Sequence, residues 1–547
     1  MFLEKIDVEG FRGISHLSVM LDDSTLLIGE NAWGKSSLLD ALSLVLSVEQ
    51  PKYQLVKDDF HRPFNKANDI QYLSIRLTFC EAYPGYSQTD RYRKLSPVWI
   101  KGRDNLYRIY YEVVGMLCPD GRIEVLRHFL NYYSKPLQLH STEALVEEIV
   151  RLHPVLRLNR YDFVDSVKVK SQETENKLAK QMAVFCKKLA KDDPTLESDK
   201  IENGLRVMRS ILEHYFSRQK MVTIREPNYR YSPSKMDWRS LENLNKQFKQ
   251  VQNRRVRALL LGIFATILQA RGQKIFDMEA QPILLLEEPE NQFHPIMLAV
   301  SWGLVDNIPL QKIVTTNSSE LVSFVPIERV CRLIKRKNRV EAYRLGNRPL
   351  STEDNRRISF HIRFNRASAL FSRCWLLVEG ETEVWMLSEF ARLCGHHFDA
   401  EGIRIIEFAQ CGIKPLVKYA DRMGIKWHVL VDGDDAGKRY AATVRSLIGN
   451  KNRDNEHNFL TVLPAVDLEN YIYKEGFQNV YHDVAMVTEE TRMNPRRVIH
   501  KALQRTSKPD MAIVVAEEAS RRGAKSVPPL LEKMFYRVVR LARKNEE

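Results

Sequence analysis

The chain has 547 residues, of which 44% are hydrophobic, and 83 basic against 69 acidic side chains give a formal net charge of +14. This length predicts two to four domains, and the positive charge favours a polyanionic partner such as DNA or RNA. The sequence contains no run of about 18 apolar residues, the length that a membrane span needs. Its first residues lack the pattern of a secretion signal, and its seven cysteines form no C-x-x-C pair. These features exclude a zinc ribbon and a disulfide framework, and we expect a cytoplasmic protein with no membrane partner.

The first strong signal is a phosphate-binding loop. Residues 29–36 read GENAWGKS, which matches the pattern G-x-x-x-x-G-K-[ST], between the apolar run 26–28 and an apolar-periodic helix at 37–46. In such a loop the backbone N–H groups wrap a phosphate, Lys35 reaches the β- and γ-phosphates, and the hydroxyl of Ser36 holds Mg²⁺. The pattern predicts that a nucleoside triphosphate is bound by Gly29, Asn31, Gly34, Lys35, Ser36 and Ser37.

Strands are predicted around this loop, and a helical region follows. Alternation of apolar and polar residues predicts strands at 5–9, 17–21, 72–79 and 106–113. Apolar residues at helical spacing predict helices from about 141 to 217, and a long helix from about 241 to 269.

A second nucleotide-binding signal lies near residue 285. The apolar run at 283–286 ends in Glu287 and Glu288, as in a buried parallel strand that delivers acids to the carboxyl edge of a sheet. Glu287 would complete the Mg²⁺ shell, and Glu288 would polarise the attacking water. The next buried strand, at 312–316, ends at Asn317, which either senses the γ-phosphate or only caps a turn.

These motifs, together with IDVEGFRG at 6–13 and with His294 and Pro295 after the acidic pair, resemble ABC-type ATPase heads of chromosome-maintenance and recombination proteins. The resemblance implies a head split by an insertion, and two heads that sandwich ATP against a Ser-Gly signature of the partner. There are two departures from this pattern. Residues 241–257, which should carry an L-S-G-G-Q-like segment, contain no glycine, and Asn317 stands where the family has a switch histidine. ATP binding is therefore expected, whereas efficient hydrolysis and the usual dimer stay open.

A second set of acids lies in the last third of the chain. The sequence WLLVEGETE at 375–383 places Glu379 after an apolar strand and Glu383 on the first turn of the next helix. The sequence HVLVDGDDAG at 428–437 places Asp432 and Asp434 on one side of an extended segment. Carboxylates suit Mg²⁺ or Mn²⁺, and two such ions clamp both the attacking and the leaving oxygen of a phosphodiester. The spacing therefore predicts a two-metal site.

Glu379, Asp432 and Asp434 resemble the acidic positions of a Toprim domain, the metal-binding module of topoisomerases, bacterial primases and certain nucleases. An ABC-type head followed directly by Toprim is similar to one family in particular, the OLD (overcoming lysogenisation defect) nucleases, over nearly the whole chain.

This resemblance implies further site residues. Glu383 matches an acid that binds a second metal ion, and Glu469 is a further ligand, with Asp467 as the alternative. The family also has a lysine near the C-terminus that stabilises the pentavalent phosphate. We assign this role to Lys525, with Lys508 and Lys501 as alternatives.

The predicted fold is α/β, with a split ABC-type P-loop ATPase head, a helical insertion and a Rossmann-like Toprim domain. The predicted boundaries are 1–140 and 241–365 for the two parts of the head, 141–240 for an insertion involved in dimerisation, and 366–547 for the Toprim nuclease domain. The expected function is an ATP-regulated DNA endonuclease with two Mg²⁺ or Mn²⁺ ions, in phage defence or DNA repair. Its expected partners are DNA and a second copy of the chain in a homodimer or larger homo-oligomer, with a helicase as a further candidate.

Two other classes of protein stay open. The first is a recombination-type ATPase that clamps DNA and has a non-catalytic Toprim domain, although the intact acids argue against it. The second is a topoisomerase or a primase. A topoisomerase needs a tyrosine nucleophile on a separate DNA-binding module, and the cysteine spacing excludes the zinc ribbon of a bacterial-type primase.

Overall fold

The computed structural model of the protein describes residues 1–46, 55–61, 71–158, 280–292, 295–306, 310–346, 350–448, 455–487 and 493–543. The chain divides into two compact units, Met1–Ile334 with Asn338–Ala342 and Lys335–Lys337 with Tyr343–Glu547. The predicted helix at 241–269, the segment expected to carry the Ser-Gly signature, and His294 lie outside the described residues. Helices and strands are numbered below over the residues that are described.

The first unit contains an antiparallel sheet with the strand order β2-β1-β4-β6-β5, and β7 also pairs with β6. The strands are β1 (Phe2–Phe11), β2 (Ile14–Met20), β4 (Gln71–Cys80), β5 (Ile100–Lys101), β6 (Tyr107–Leu117) and β7 (Ile123–Leu130). Along β1, Ile6 and Val8 are fully buried, whereas Asp7 and Glu9 are not, which is the period of a strand with one buried face. The four strands predicted from this alternation are confirmed.

The second sheet of this unit has the order β12-β11-β3-β10-β9-β8. Its strands are β3 (Ser24–Ile28), β8 (Val155–Leu158), β9 (Ile283–Glu287), β10 (Gln311–Thr315), β11 (Val330–Lys335) and β12 (Val340–Tyr343). Val314 of β10 lies in parallel register between Leu26 of β3 and Leu286 of β9. Because these strands are parallel, the phosphate-binding loop, the Glu287–Glu288 pair and Asn317 all follow strand ends at one edge of the sheet.

The helices of the first unit are α1 (Lys35–Leu46), α2 (Thr142–Leu152), α3 (Pro295–Asp306) and α4 (Ser319–Phe324). Helix α1 buries Leu38, Leu42 and Val45 in the core of the unit, at the spacing of one helix face. The helical prediction that starts at residue 141 is confirmed by α2 but is wrong for β8. Val155–Leu158 is a strand because it pairs in parallel register with β9, a contact that local periodicity does not contain.

The second unit is built on a parallel sheet with the order β14-β13-β15-β16. The strands are β13 (Cys374–Val378), β14 (Ile403–Glu407), β15 (Lys426–Val431) and β16 (Leu460–Val462). The helices are α5 (Thr352–Ile358), which continues as a π-helical turn (Ser359–Phe364), α6 (Glu381–Leu393), α7 (Ile413–Arg422), α8 (Asp435–Ile448), α9 (Leu468–Ile472), α10 (Gln478–Ala485), α11 (Pro495–Arg505), α12 (Lys508–Arg522) and α13 (Pro529–Arg543). Strands and helices alternate along β13 to α8, so the predicted α/β fold class is confirmed.

Across the ranges given above, no helix is long and apolar enough to cross a membrane. No disulfide forms among the six cysteines that the structure describes.

Candidate functional site

Two glycines shape the loop between β3 and α1. A Cβ atom at Gly34 would lie 2.9 Å from Cγ1 of Ile14, and Gly34 has a φ of +93°. A Cβ atom at Gly29 would lie 2.8 Å from the carbonyl oxygen of Leu333. Both positions therefore require glycine, and the loop leaves the backbone N–H groups at the start of α1 available for a phosphate.

Lys35, the first residue of α1, is only 5% exposed. Its ammonium group donates to the carbonyl oxygen of Gly29 and, at 2.7 Å, to Oδ1 of Asn317. Burial lowers the pKa of Lys35, and the nearby carboxylates of Glu288 and Glu290 oppose this effect. The structure thus holds a buried cation at the sheet edge where the motif predicts the β- and γ-phosphates.

Glu287, the last residue of β9, lies beside Ser36. Arg157 donates to Oε2 of Glu287 at 2.6 Å and uses its other terminal nitrogen to bind Asp40. Burial acts to raise the pKa of Glu287, but the hydrogen bonds from Arg157 and Ser36 outweigh it, so the pKa lies below its usual value. An ionised carboxylate next to a serine hydroxyl is a pair of oxygen ligands that fits Mg²⁺.

Asn317 connects the loop to the second acid of the pair. Its side-chain amide donates to Oε1 of Glu288 at 2.7 Å and to Oδ1 of Asn31 at 3.3 Å. The cap of the following helix α4 is instead Ser318, whose hydroxyl accepts the N–H of Leu321 at 3.2 Å. The Asn317 side chain therefore points toward the phosphate-binding loop and does not serve as the cap of the turn.

The structure adds Arg157 and Asp40 to this site, which the sequence analysis missed. Arg157 lies on the short strand β8, and its partner Glu287 is 130 residues away in the chain. No motif surrounds Arg157, so only the pairing of β8 with β9 reveals that it faces Glu287.

In the second unit, two neighbouring strands deliver the predicted acids. Glu379 follows β13 and Asp432 follows β15, and Leu377 lies opposite Val429 in the register of these two strands. Glu383, on the first turn of α6, accepts the N–H of Gly380 at 3.1 Å. This bond turns the Glu383 carboxylate back toward the start of its helix.

Glycines also shape the second acidic motif. A Cβ atom at Gly433 would clash with the carbonyl oxygen of Ala465, and one at Gly437 would clash with the carbonyl oxygen of Asp432. The N–H of Gly437 donates to Oδ1 of Asp434 at 2.6 Å. The glycines of D-G-D-x-A-G therefore allow the backbone approaches that position Asp432 and Asp434.

These carboxylates form one electrostatically coupled cluster. Burial raises the pKa of Asp432 to about 8, and the neighbouring carboxylates add to this effect, namely Glu383, Glu379, Asp467 and Glu469. Burial likewise raises the pKa values of Glu379 and Glu383, and Oε2 of Glu379 is buried without a hydrogen-bond partner. A cation would relieve this repulsion, so the donor set fits divalent metal ions. Within the described residues, no three Asp, Glu, His or Cys side chains converge on one ion position.

The structure brings Lys508 to this cluster. Its Nζ lies 3.0 Å from Oε1 of Glu469, which is 5% exposed. Burial acts to lower the pKa of Lys508, but the charges of Glu469, Asp467 and Glu383 outweigh it and the pKa is raised.

Lys525 lies on an exposed turn at Ala524–Ser526 and makes no ion pair with these acids in the part of the chain that the structure describes. This placement favours Lys508, the alternative considered from the sequence, over Lys525. The family lysine has no local motif, so the sequence could not distinguish the two. In the other pair of alternatives, Oδ1 of Asp467 accepts the N–H of Asn470 at 2.7 Å and caps α9, and Glu469 binds Lys508. Both carboxylates act on the pKa of Asp432, so the choice between them stays open.

Comparison with known proteins identifies the family. Residues 1–369 match the family model described as Protein of unknown function (DUF2813), and residues 370–434 match the TOPRIM domain of overcoming lysogenization defect protein-like proteins. The uncharacterized protein YbjD of Escherichia coli (strain K12) is 50% identical over 549 residues, which cover 99% of each chain. The predicted Toprim domain and the resemblance to the OLD family are confirmed by these matches.

Two groups of solved structures are also similar to parts of the chain. The C-terminal region of the Burkholderia pseudomallei OLD protein is 18% identical, covering 31% of this chain and 99% of that chain with a TM-score of 0.28. The SMC head domain from Thermotoga maritima is 12% identical, covering 63% of this chain and 99% of that chain with a TM-score of 0.30. The family models and the E. coli relative show that this chain belongs to the DUF2813 family and carries an OLD-like Toprim domain.

Proposed function

We propose that the protein is an ATP-binding, metal-dependent endonuclease that hydrolyses DNA phosphodiesters at the carboxylate cluster of its second unit. The observation that carries this proposal is the position of Glu379 and Asp432 at neighbouring strand ends, where Asp432 is surrounded by other carboxylates. Such a cluster is unfavourable without cations, whereas a purely structural domain would gain stability by replacing the acids with apolar or paired side chains.

The roles of the residues in this site follow from their contacts. Two Mg²⁺ or Mn²⁺ ions would be held by Glu379, Glu383, Asp432, Asp434 and Glu469. When bound, such ions activate a water molecule and stabilise the attacking and leaving oxygens of a phosphodiester. Lys508 offsets the negative charge that develops on the phosphate, a role for which its position beside Glu469 is suited.

The first unit is proposed to bind ATP with Mg²⁺. The phosphates would lie on the loop formed by Gly29, Asn31, Gly34, Lys35, Ser36 and Ser37. The hydroxyl of Ser36 and the carboxylate of Glu287 would hold the cation, while Glu288 accepts a proton from the attacking water. Asn317 contacts both Lys35 and Glu288, so it is placed to report the γ-phosphate to the general base.

The proposal includes DNA as substrate, which the net charge of +14 supports. It also includes a homodimer or larger homo-oligomer and a role in phage defence or DNA repair, both of which rest on the resemblance to OLD nucleases.

Cleavage of supercoiled plasmid with Mg²⁺ or Mn²⁺, with and without ATP, tests the proposal. The double variant Asp432→Ala/Asp434→Ala should produce neither nicked nor linear DNA. Asp435→Ala is a matched control within the same motif, because its carboxylate is 95% exposed and pairs only with Lys438 among the described residues. We expect this control to cleave at the wild-type rate.

Two results would contradict the proposal. Equal cleavage by the wild type and the Asp432→Ala/Asp434→Ala variant would place the activity outside this cluster. Intact plasmid with every metal, although the wild type binds ATP and Lys35→Ala does not, would instead favour the DNA-clamping ATPase.

A further inference from the structure

A helical segment before the sheet of the second unit exposes two phenylalanines. Helix α5 ends at Ile358, and the π-helical turn that continues it ends at Phe364. Phe360 is 60% exposed and Phe364 is 58% exposed, although phenylalanine is among the residues that proteins most often bury. Two such rings on one turn of helix are therefore a feature that the fold does not explain.

Arginines border these rings. Arg356 and Arg357 are exposed one turn before Phe360, and the guanidinium carbon of Arg363 lies 4.3 Å from the centre of the Phe364 ring. Arg357 also forms an ion pair with Glu353. Positions 356, 360 and 364 recur every four residues and so fall on one face. Residues 352–366 contain four arginines against two acids, so the segment that bears this face is basic as well as aromatic.

The segment is attached to the sheet edge that carries the acids. His361 donates to the carbonyl oxygen of Glu407 at 2.7 Å, and Arg366 donates to the Glu407 carboxylate at 2.8 Å. Glu407 ends β14 and is in register with Val378, the residue before Glu379. The segment that bears the basic aromatic face is thus anchored at the same edge of the sheet as the carboxylate cluster, one strand away from Glu379.

We propose that this face, formed by Arg356, Arg357, Phe360, Arg363 and Phe364, binds an unpaired nucleic-acid strand beside the carboxylate cluster. Exposed aromatic rings stack on bases, and arginines neutralise the phosphates of the backbone. Bases inside a duplex are already stacked on one another, so the rings gain contacts only where a strand is single. The proposal rests on the proposed nuclease function and adds a substrate class to it, DNA that is single-stranded near the scissile bond.

The test is the affinity of the full-length chain for a fluorescent single strand and for a duplex of equal length, measured by anisotropy in EDTA so that no cleavage occurs. The variant Phe360→Ala/Phe364→Ala should bind the single strand at least about tenfold more weakly, with little change for the duplex. The variant Phe360→Tyr/Phe364→Tyr keeps both rings and should bind like the wild type. The control Tyr536→Ala removes a ring of similar exposure, 63%, from α13 and should change neither affinity.

The arginines have a separate readout. For single strands, each phosphate contact contributes about 0.7 to the slope of log affinity against log salt concentration. The variant Arg356→Ala/Arg357→Ala should therefore reduce the magnitude of this negative slope by about 1.4. The control Arg404→Ala removes an arginine that pairs with Asp399 at the opposite end of β14, and should leave the slope unchanged.

Single-strand affinity that is unchanged in Phe360→Ala/Phe364→Ala would overturn the proposal, whether or not the protein cleaves plasmid. An equal loss of affinity for single strand and duplex would overturn the preference for an unpaired strand. Loss of self-association in that variant with no loss of DNA affinity would also overturn it and would assign the face to a second copy of the chain. A wild type that binds the single strand through this face but cleaves no plasmid would support the proposal and contradict the nuclease function alone.

Discussion

Replacing His428 with glutamine should remove part of the pH dependence of unfolding of the second unit. His428 is fully buried on β15, the strand that delivers Asp432. Its Nδ1 donates to the carbonyl oxygen of Asn458 at 2.8 Å, and its Nε2 lies 2.9 Å from the hydroxyl oxygen of Thr461, which can donate to a neutral ring. One donor and one acceptor are the pattern of a neutral imidazole. Burial lowers the pKa of His428 to about 4; the bond to Asn458 opposes this effect, and the charges of Arg537 and His457 add to it.

The magnitude follows from the two pKa values of His428. The ordinary value is 6.5 and the folded value is about 4, so the unfolded chain takes up the proton first as the pH falls. The contribution of neutral His428 to the free energy of unfolding is therefore complete above about pH 6.5 and is lost progressively between about pH 6.5 and about pH 4. At about pH 5 the linkage relation gives a loss of about 2 kcal/mol.

Urea unfolding followed by tryptophan fluorescence measures this loss, since Trp375 and Trp427 lie on β13 and β15. Glutamine keeps a donor and an acceptor but does not titrate. Between about pH 8 and about pH 5 the wild type should lose about 2 kcal/mol more than His428→Gln, whereas the exposed control His500→Gln should behave like the wild type. A difference below about 0.5 kcal/mol, or one of opposite sign, would refute the neutral, buried state of this ring.

Three further outcomes are expected. Lys508→Ala should slow plasmid nicking about 100-fold or more, because the proposed mechanism places its charge beside the reacting phosphate. Lys525→Ala should change the initial rate less than about twofold. A large loss of rate in Lys525→Ala and a small one in Lys508→Ala would instead assign the catalytic role to Lys525. Arg157→Ala should lower the free energy of unfolding of the nucleotide-free protein by about 2 kcal/mol in thermal melts, since it leaves Glu287 and Asp40 without their shared partner. An unchanged melting temperature would show that the two ion pairs of Arg157 contribute nothing to stability. Gly433→Ala should abolish nicking while the circular dichroism spectrum is retained, because the added Cβ atom clashes with the Ala465 carbonyl and shifts the flanking aspartates. The control is Gly303→Ala, whose Cβ atom would meet no atom of the described residues outside its own helix within 4 Å, and full activity of Gly433→Ala would contradict the predicted clash.

Much of the fold and the site could be predicted because the relevant physics is local in sequence. A continuous apolar run such as residues 26–28 of β3 is typical of a strand buried on both faces, so it indicates a parallel strand before any partner is known. Gly34 and Gly433 occupy backbone positions that a side chain would block, and such requirements leave a readable spacing of glycines around the functional residues. The pairs Glu287 with Glu288 and Asp432 with Asp434 each follow an apolar run directly, so they could be assigned to strand ends from the sequence alone.

The tertiary structure decided the contacts that join distant segments. Val155–Leu158 became a strand through its register with β9, and this pairing placed Arg157 on Glu287. The ion pair of Lys508 with Glu469 likewise depends on which helix begins beside Glu469, information that the residues next to Lys508 in the chain do not contain. The sequence by itself thus determined which acids and glycines follow the strand ends, because their backbone and charge requirements are local. Only the folded chain decided which cationic side chains, Arg157 and Lys508, form ion pairs with the acids, because a salt bridge depends on distance in space and not on separation along the chain.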